Sequence, residues 1–178
     1  MIADKSKYKI EPLGDHNRAA FSCGQPSLDR YIREQATQDT KRGLASVFVV
    51  TDKDDPKTIL AYYTLSNREL RLEQIPPEIA KKAGRYGYVG VTLLGRRAVA
   101  GKCKGTGLGS LTLMNALDRS LIAAKEVASW AVFVEAIDLD AVNFYRKYGF
   151  VELPEDKFKL FLPMKTIAKS FTEAHAVR

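Results

Sequence analysis

Histidine, cysteine and tryptophan are scarce in this 178-residue chain, with two, two and one copies respectively. His16 and His175 sit near opposite ends, which leaves little material for a histidine-based triad or metal centre. Cys23 and Cys103 lie far apart with no C-x-x-C, so neither a disulfide framework nor a zinc site is indicated, and no metal is expected. No apolar run approaches the roughly 18 residues of a membrane span, and Met1-Ile2-Ala3-Asp4-Lys5 has no signal-peptide apolar region. The expectation is a cytoplasmic protein that does not meet a membrane. Proline and glycine, 7 and 12 residues, are too few for a collagen-like or low-complexity chain, whereas 46% hydrophobic and 28% charged residues suit a globular one. At this length a single domain spanning residues 1–178 is expected, with about 70% of its unfolded surface buried.

Acid is missing from one long stretch. The chain holds 28 basic and 21 acidic residues, a net charge of +7, and residues 79–117 contain Lys81, Lys82, Arg85, Arg96, Arg97, Lys102 and Lys104 with no aspartate or glutamate. Everywhere else the two signs cancel. An acid-free block of this kind is expected to meet something anionic, either nucleic acid or a phosphorylated cofactor.

Hydrophobic periodicity supplies the elements. Tyr8 to Leu13 reads as a first strand, and Ser27 is placed to cap a helix to about Lys41 with Leu28, Tyr31, Ile32 and Gln35 at helical spacing. Ser46–Thr51 and Ile59–Ser66 flank a turn over Asp52–Pro56 and form an antiparallel hairpin. Pro76 and Pro77 open a short helix ended by Gly84. Tyr88–Ala100 is the longest strand expected, and its apolar run to Leu94 suggests a central position. From Gly107 the period changes: Leu108, Leu111, Met114, Leu117 and Leu121 mark one face of a helix to about Ala124. Trp130–Ala136 is a buried strand, Asp140–Tyr148 a helix stopped by Gly149, and Phe158–Leu162 a last strand. Alternating strands and helices after a hairpin give a mixed α/β sheet in one layered domain.

The most glycine-rich segment joins a strand to a helix: Lys102-Cys103-Lys104-Gly105-Thr106-Gly107-Leu108-Gly109-Ser110. Such a turn lets backbone N–H groups converge on an anion at a helix N-terminus, where the helix dipole adds to the attraction. A dinucleotide fingerprint needs glycine where Ser110 stands, and a Walker loop needs a closing Gly-Lys-Ser/Thr that is absent.

Lys104-Gly105-Thr106-Gly107-Leu108-Gly109 resembles the Arg/Gln-x-x-Gly-x-Gly/Ala acetyl-CoA loop of the GNAT acetyltransferases. Phe144-Tyr145-Arg146-Lys147-Tyr148-Gly149-Phe150 looks like that family's F-Y-x-x-x-G-F element. Phe21-Ser22-Cys23-Gly24 with Leu28-Asp29-Arg30-Tyr31, and Leu94-Gly95-Arg96-Arg97-Ala98-Val99, resemble segments of its TacT/AtaT-like toxin branch. The resemblance covers roughly residues 8–165, leaving 166–178 as a short C-terminal tail. It implies the GNAT fold, a central mixed sheet flanked by helices. It also implies acetyl-CoA as cosubstrate, acetylation of the amino group of an aminoacyl-tRNA, a homodimer, and a ribbon-helix-helix antitoxin through which operator DNA is met. Three positions depart from the pattern: Lys104 replaces Arg or Gln, Arg97 replaces Leu, and Ala100-Gly101 lacks the common Asp. Lysine meets a phosphate as a point charge and lacks the planar fork of arginine.

Roles follow from the resemblance together with the chemistry of acetyl transfer from a thioester to an amine. Lys104, Gly105, Thr106, Gly107, Leu108 and Gly109 are assigned to the cofactor, and the main-chain N–H groups of Ala98 and Val99 are the candidate oxyanion donors. Tyr145 is the candidate general acid, since a phenol with a reference pKa of about 10 keeps its proton where a thiolate of about 8.5 needs one. Tyr148 has the same chemistry, and only the family match selects between them. Lys81, Lys82, Arg85, Arg96 and Arg97 are left over for an RNA backbone, with Arg97 expected to point out of the core. An α-amine, near pKa 8, needs a base less than a lysine near 10.4, and the acid-free block offers none; Glu135 is the one carboxylate that could serve. Two other readings stay open: acetylation of a small amine, peptide or protein lysine, and a non-catalytic module that binds nucleic acid or a partner.

Overall fold

The computed structural model describes residues 1–176; residues 177–178, the end of the expected tail, lie outside the described residues. The strands are β1 (Tyr8–Pro12), β2 (Ser46–Asp52), β3 (Ala61–Arg71), β4 (Tyr88–Val99), β5 (Ala131–Glu135), β6 (Val151–Leu153) and β7 (Asp156–Pro163). The helices are α1 (Pro26–Arg30), α2 (Ala36–Lys41), α3 (Pro77–Ala83), α4 (Leu108–Ala123), α5 (Leu139–Lys147) and α6 (Met164–Ala176). All seven strands belong to one sheet in the order β1-β2-β3-β4-β5-β7-β6. β4 and β5 run parallel, as the intervening α4 crossover requires, and the β1–β2, β2–β3, β5–β7 and β6–β7 pairs are antiparallel. The mixed sheet expected from the sequence is therefore present.

The chain divides into two compact units, each built from two stretches. The first comprises Met1–Ser66 and Gly95–Ala116. Its hairpin pairs Ser46 with Leu65 through Val50 with Ala61. Its core gathers Phe21, Tyr31, Ile32, Val47, Val49, Tyr62 and Ala98, and the Tyr62 ring takes Phe21 edge-on at 5.3 Å and stacks on Tyr31 at 6.2 Å. The helix expected to be capped by Ser27 starts two residues earlier, because Pro26 fixes the first helical position; Gln25 is the cap residue and Ser27 lies inside the first turn. α1 continues into α2 through a π-helical turn, Tyr31–Gln35.

The second unit comprises Asn67–Leu94 and the chain from Leu117 onward. Parallel pairing of β4 with β5 covers Thr92–Leu94 against Val132–Val134. Its core joins Leu70, Val91, Phe133, Leu153 and Phe161. Three features differ from expectation. β3 runs on to Arg71, since Asn67, Arg68 and Glu69 are exposed and the ladder continues without an apolar signal. β6, three residues long, stands where no strand was expected. The expected C-terminal tail is instead α6, anchored by buried Met164 and Ile167. α4 also departs from a single stripe: Leu111, Thr112, Leu113, Ala116 and Leu117 are all buried, whereas Met114 is half-covered. No helix among the described residues is long and apolar enough to cross a membrane.

Candidate active site

The glycine turn lies in the first unit. β4 ends at Val99, and Ala100 N–H donates to the Leu60 carbonyl at 2.8 Å, which fixes where the strand stops. Gly101 N–H donates to Ser22 O at 2.9 Å, and the Cys23 N–H donates to the Asp29 carboxylate at 2.8 Å. Tyr62 Oη donates to Leu28 O at 2.7 Å, and the Arg96 guanidinium lies 3.8 Å from the centroid of the Tyr31 ring. The F-S-C-G and L-D-R-Y blocks therefore form one scaffold that grips the chain just before the turn. Burial, aided by Asp29, pushes the Cys23 thiol up, so it stays protonated and serves packing.

Beyond the strand, Thr106 Oγ1 donates to Cys103 O at 2.6 Å and closes a tight bend. Gly105 and Gly107 hold φ of +78° and +86°, a left-handed conformation that side chains resist. The first i→i−4 bond of α4 runs from Leu111 N–H to Gly107 O at 3.1 Å, so the amides ahead of it lie at the positive end of a 16-residue helix. Arg97 Nη1 donates to Gly109 O at 3.1 Å, and Thr112 Oγ1 donates to the Leu108 and Gly109 carbonyls at 2.9 and 2.8 Å. Arg97 is half-buried and braces the turn, where the sequence suggested a side chain pointing away. The N-terminal segment seals another side: Ala3 N–H donates to Gly107 O at 3.3 Å, and a Cβ on Gly107 would come within 2.6 Å of the Ala3 nitrogen. Lys102 and Lys104 are exposed. Left-handed glycines, a long helix start and flanking lysines fit the pyrophosphate of an acetyl-CoA.

Tyr145 lies in the second unit, on α5. Asp138 caps this helix by accepting from Ala141 N–H at 2.8 Å, two residues before the start expected at Asp140. At the other end Gly149 adopts φ +86°, Gly149 N–H donates to Arg146 O at 3.0 Å, and Phe150 N–H donates to Tyr145 O at 3.3 Å. This is a Schellman closure, and its usual apolar contact is the Tyr145–Phe150 ring pair at 5.2 Å. The F-Y-x-x-x-G-F spacing thus sets Tyr145 as the residue whose carbonyl and ring are both engaged by Phe150. Tyr145 is 6% exposed and meets Phe144 edge-on at 5.5 Å. Tyr148 is half-buried against Phe144.

The remaining candidates separate by exposure. Lys81 and Lys82 stand in solvent on α3, and Arg85 is exposed just past Gly84. Arg96 is half-buried, with its N–H held by Thr64 Oγ1 at 3.0 Å. Ala98 is buried with Phe21 and Tyr62, and Val99 packs beside Ala3, Leu108 and Leu111. Glu135 is ion-paired with Arg68, whose guanidinium also lies 4.8 Å from the Phe133 ring centroid. Sequence reasoning missed Arg68, Thr112 and the N-terminal segment; the first two carry no motif, and the contact of Ala3 with Gly107 is a tertiary event. Among the described residues no group of three or more His, Cys, Asp or Glu side chains could hold a metal.

Comparison with known proteins agrees with this geometry. Residues 86–167 match the model of an acetyltransferase (GNAT) domain, which takes in both the glycine turn and α5. A tRNA-acetylating toxin of Mycobacterium tuberculosis is 34% identical over 146 residues, covering 82% of this chain and 85% of the toxin. Among solved structures, a tyrosine-to-phenylalanine mutant of KacT superposes with a TM-score of 0.86 at 26% identity, covering 92% of this chain and 98% of KacT. AtaT complexed with acetyl-methionyl-tRNAfMet superposes at 0.85 and 25% identity, covering 92% and 99%. AtaTR is also known bound with acetyl-CoA. The chain belongs to the GNAT acetyltransferases, in the branch that holds the TacT, KacT and AtaT toxins.

Proposed function

We propose that this chain transfers the acetyl group of acetyl-CoA to the α-amine of an aminoacyl-tRNA and so blocks translation, as the toxin of a toxin–antitoxin pair. The observation that carries the reading is the glycine turn. Gly105 and Gly107 open α4 in left-handed conformations, and Lys102 and Lys104 flank them. The similarity to a tRNA-acetylating toxin and to AtaT in complex with acetyl-methionyl-tRNAfMet supports the acceptor class.

Acetyl-CoA supplies a thioester-activated acetyl group. The amides of Gly105, Thr106, Gly107, Leu108 and Gly109 hold its pyrophosphate, with Lys104 as a point charge. The main-chain N–H groups of Ala98 or Val99 donate to the carbonyl oxygen as it gains negative charge. Tyr145 returns a proton to the leaving sulfur. The Glu135 carboxylate is engaged by the Arg68 guanidinium, which favours an acceptor that is already partly neutral. An α-amine near pKa 8 meets that condition, and a lysine near 10.4 does not. Lys81, Lys82 and Arg85 take the RNA backbone, while Arg96 and Arg97 act from within, Arg97 by steadying the turn. The protein works as one catalytic domain in the cytoplasm, as a homodimer, and a ribbon-helix-helix antitoxin restrains it and links it to operator DNA.

The test supplies labelled acetyl-CoA with a pool of aminoacylated tRNAs. Label is expected in the RNA fraction and is lost on mild hydrolysis of the aminoacyl ester. Label that stays on the protein fraction, or none at all, refutes the reading. Tyr145→Phe is expected to slow transfer about 10²–10⁴-fold with acetyl-CoA affinity retained; an undiminished rate removes Tyr145 from catalysis.

A further inference from the structure

Two aromatic residues stand among the large apolar side chains that the fold leaves in solvent: Tyr86, 85% exposed, and Tyr88, 54% exposed. Both line one open groove of about 440 Å³, together with Gly90, Ser129 and Trp130. Its floor is firmly built. Trp130 N–H donates to Gly90 O at 2.8 Å, Met164 N–H donates to Trp130 O at 2.8 Å, and the Trp130 ring packs on Phe161 at 5.4 Å. The hydroxyls of Thr92 and Ser129 are 2.9 Å apart. Upstream, Leu72 N–H donates to Gly87 O at 2.9 Å and anchors the approach to β4.

Strand alternation puts Tyr88 and Gly90 on the same face of β4. A Cβ built on Gly90 would meet nothing within 4 Å, so the space above this backbone is open. Glycine inside a strand with open space over it is a site where a flat group can lie against the main chain. The groove therefore offers two exposed tyrosine rings beside a bare stretch of strand, with Trp130, whose ring packs on Phe161, at its border.

Charge selects the occupant. Lys81, Lys82 and Arg85 are exposed immediately before Tyr86, and no acid lines the groove. A second copy of this chain, docked about a two-fold axis, would bring these three cations toward their own equivalents. An uncharged apolar partner would leave them unmatched. A polyanion with flat apolar faces satisfies both the rings and the cations.

We propose that this groove binds an unstacked nucleotide of a single-stranded RNA segment, with its base on the Tyr86 and Tyr88 rings beside Trp130 and its flanking phosphates on Lys81, Lys82 and Arg85. The identification of that RNA as part of a tRNA rests on the function proposed above; the binding chemistry rests on the groove alone.

Trp130 is the only tryptophan in the chain, so its fluorescence reports on the groove. The full chain is titrated with an unstructured oligoribonucleotide of about eight nucleotides, within the usual site size of single-strand binders. Saturable quenching of Trp130 is expected. Tyr86→Ala and Tyr88→Ala each weaken binding about 5- to 150-fold through lost stacking. Gly90→Leu fills the groove and abolishes the quenching. Acetyl-CoA affinity is unchanged in all three. Tyr86 is so exposed that its removal leaves the fold intact, which keeps the test sound should Gly90→Leu fold poorly. Absent quenching, or quenching indifferent to Tyr86 and Tyr88, overturns the proposal; so does a change of sedimenting mass in Tyr86→Ala, which would make the groove a contact between copies. Normal acetylation of charged tRNA alongside absent quenching removes the groove and leaves the function. Quenching without acetylation of any charged tRNA removes the function and leaves the groove.

Discussion

Gly107→Ala separates two causes that act on the same atom. At φ +86° an alanine bears the left-handed penalty of about 1–2 kcal/mol. Its Cβ also falls 2.6 Å from Ala3 N and 2.9 Å from the Ile2 carbonyl carbon, both backbone atoms that must move bodily. Displacing Ala3 gives up the burial of one methyl group, about 0.8 kcal/mol, and a hydrogen bond to Gly107 O worth about 0.5–1.5 kcal/mol. The total is about 2–4 kcal/mol, or a fall in Tm of about 5–15 °C for a chain of this size. Urea denaturation of four proteins forms a cycle: native, Gly107→Ala, a form beginning at Asp4, and the combination. Once residues 1–3 are absent the clash is gone, and the alanine costs only the conformational 1–2 kcal/mol or so. Equal costs in both backgrounds would refute the placement of the N-terminal segment on the turn. Calorimetry should also find acetyl-CoA affinity reduced by about 10- to 100-fold in Gly107→Ala, the loss of one charge-assisted amide contact.

Other outcomes follow from the same structure. Gly149→Ala places a Cβ 3.7 Å from Leu162 Cδ1, an ordinary contact, so only the φ +86° penalty of about 1–2 kcal/mol applies and Tm drops by about 2–8 °C. Burial, with a smaller contribution from Asp39, pushes the Tyr31 phenol up to about 12. Its folded pKa therefore lies above its unfolded value of about 10, so its share of stability is whole below pH 10 and is lost as the pH rises to about 12, about 3 kcal/mol in all. Tyr31→Phe, which also removes a buried hydroxyl that has no hydrogen-bond partner, should lack that loss and be no less stable at pH 7; identical alkaline denaturation profiles would rule this out. Replacing Lys81, Lys82 and Arg85 together by alanine should lower the log–log salt slope of RNA binding by about 2–3 and spare acetyl-CoA affinity. A matching loss of acetyl-CoA affinity would assign these residues to the cofactor.

Much of the fold was legible because its elements carry local punctuation. Pro77 and Gly84 bracket α3, and Gly149 ends α5 where a left-handed residue is needed. The elements that escaped lack such marks. The second half of β3 exposes Asn67, Arg68 and Glu69, so no alternation betrays it, and β6 is too short to have a period. α6 buries only Met164 and Ile167 among polar neighbours. At the candidate site, the glycine turn and the α5 closure are sequence-local and were readable as motifs. The bracing of the turn by Arg97 and the pairing of Arg68 with Glu135 depend on side chains brought together from 12 and 67 positions apart. No spacing rule reaches that far. Arg97 is the instructive case: a charge in the strand suggested exposure, whereas the Gly109 carbonyl in the first turn of α4, which also accepts from Thr112 Oγ1, gave it a partner in a half-buried position.

The closure of α5 supplies a built-in reporter. Because the Phe150 amide is bonded to the Tyr145 carbonyl and the Gly149 amide to Arg146, hydrogen exchange at these two amides measures how often the turn carrying Tyr145 opens. A phenol ring gives little signal of its own when it settles against a ligand. These two amides give one in any exchange experiment, before any chemistry occurs. Slower exchange on adding acetyl-CoA or charged tRNA would register the moment the site becomes ordered, and would do so in a catalytically silent Tyr145→Phe protein as readily as in the active one.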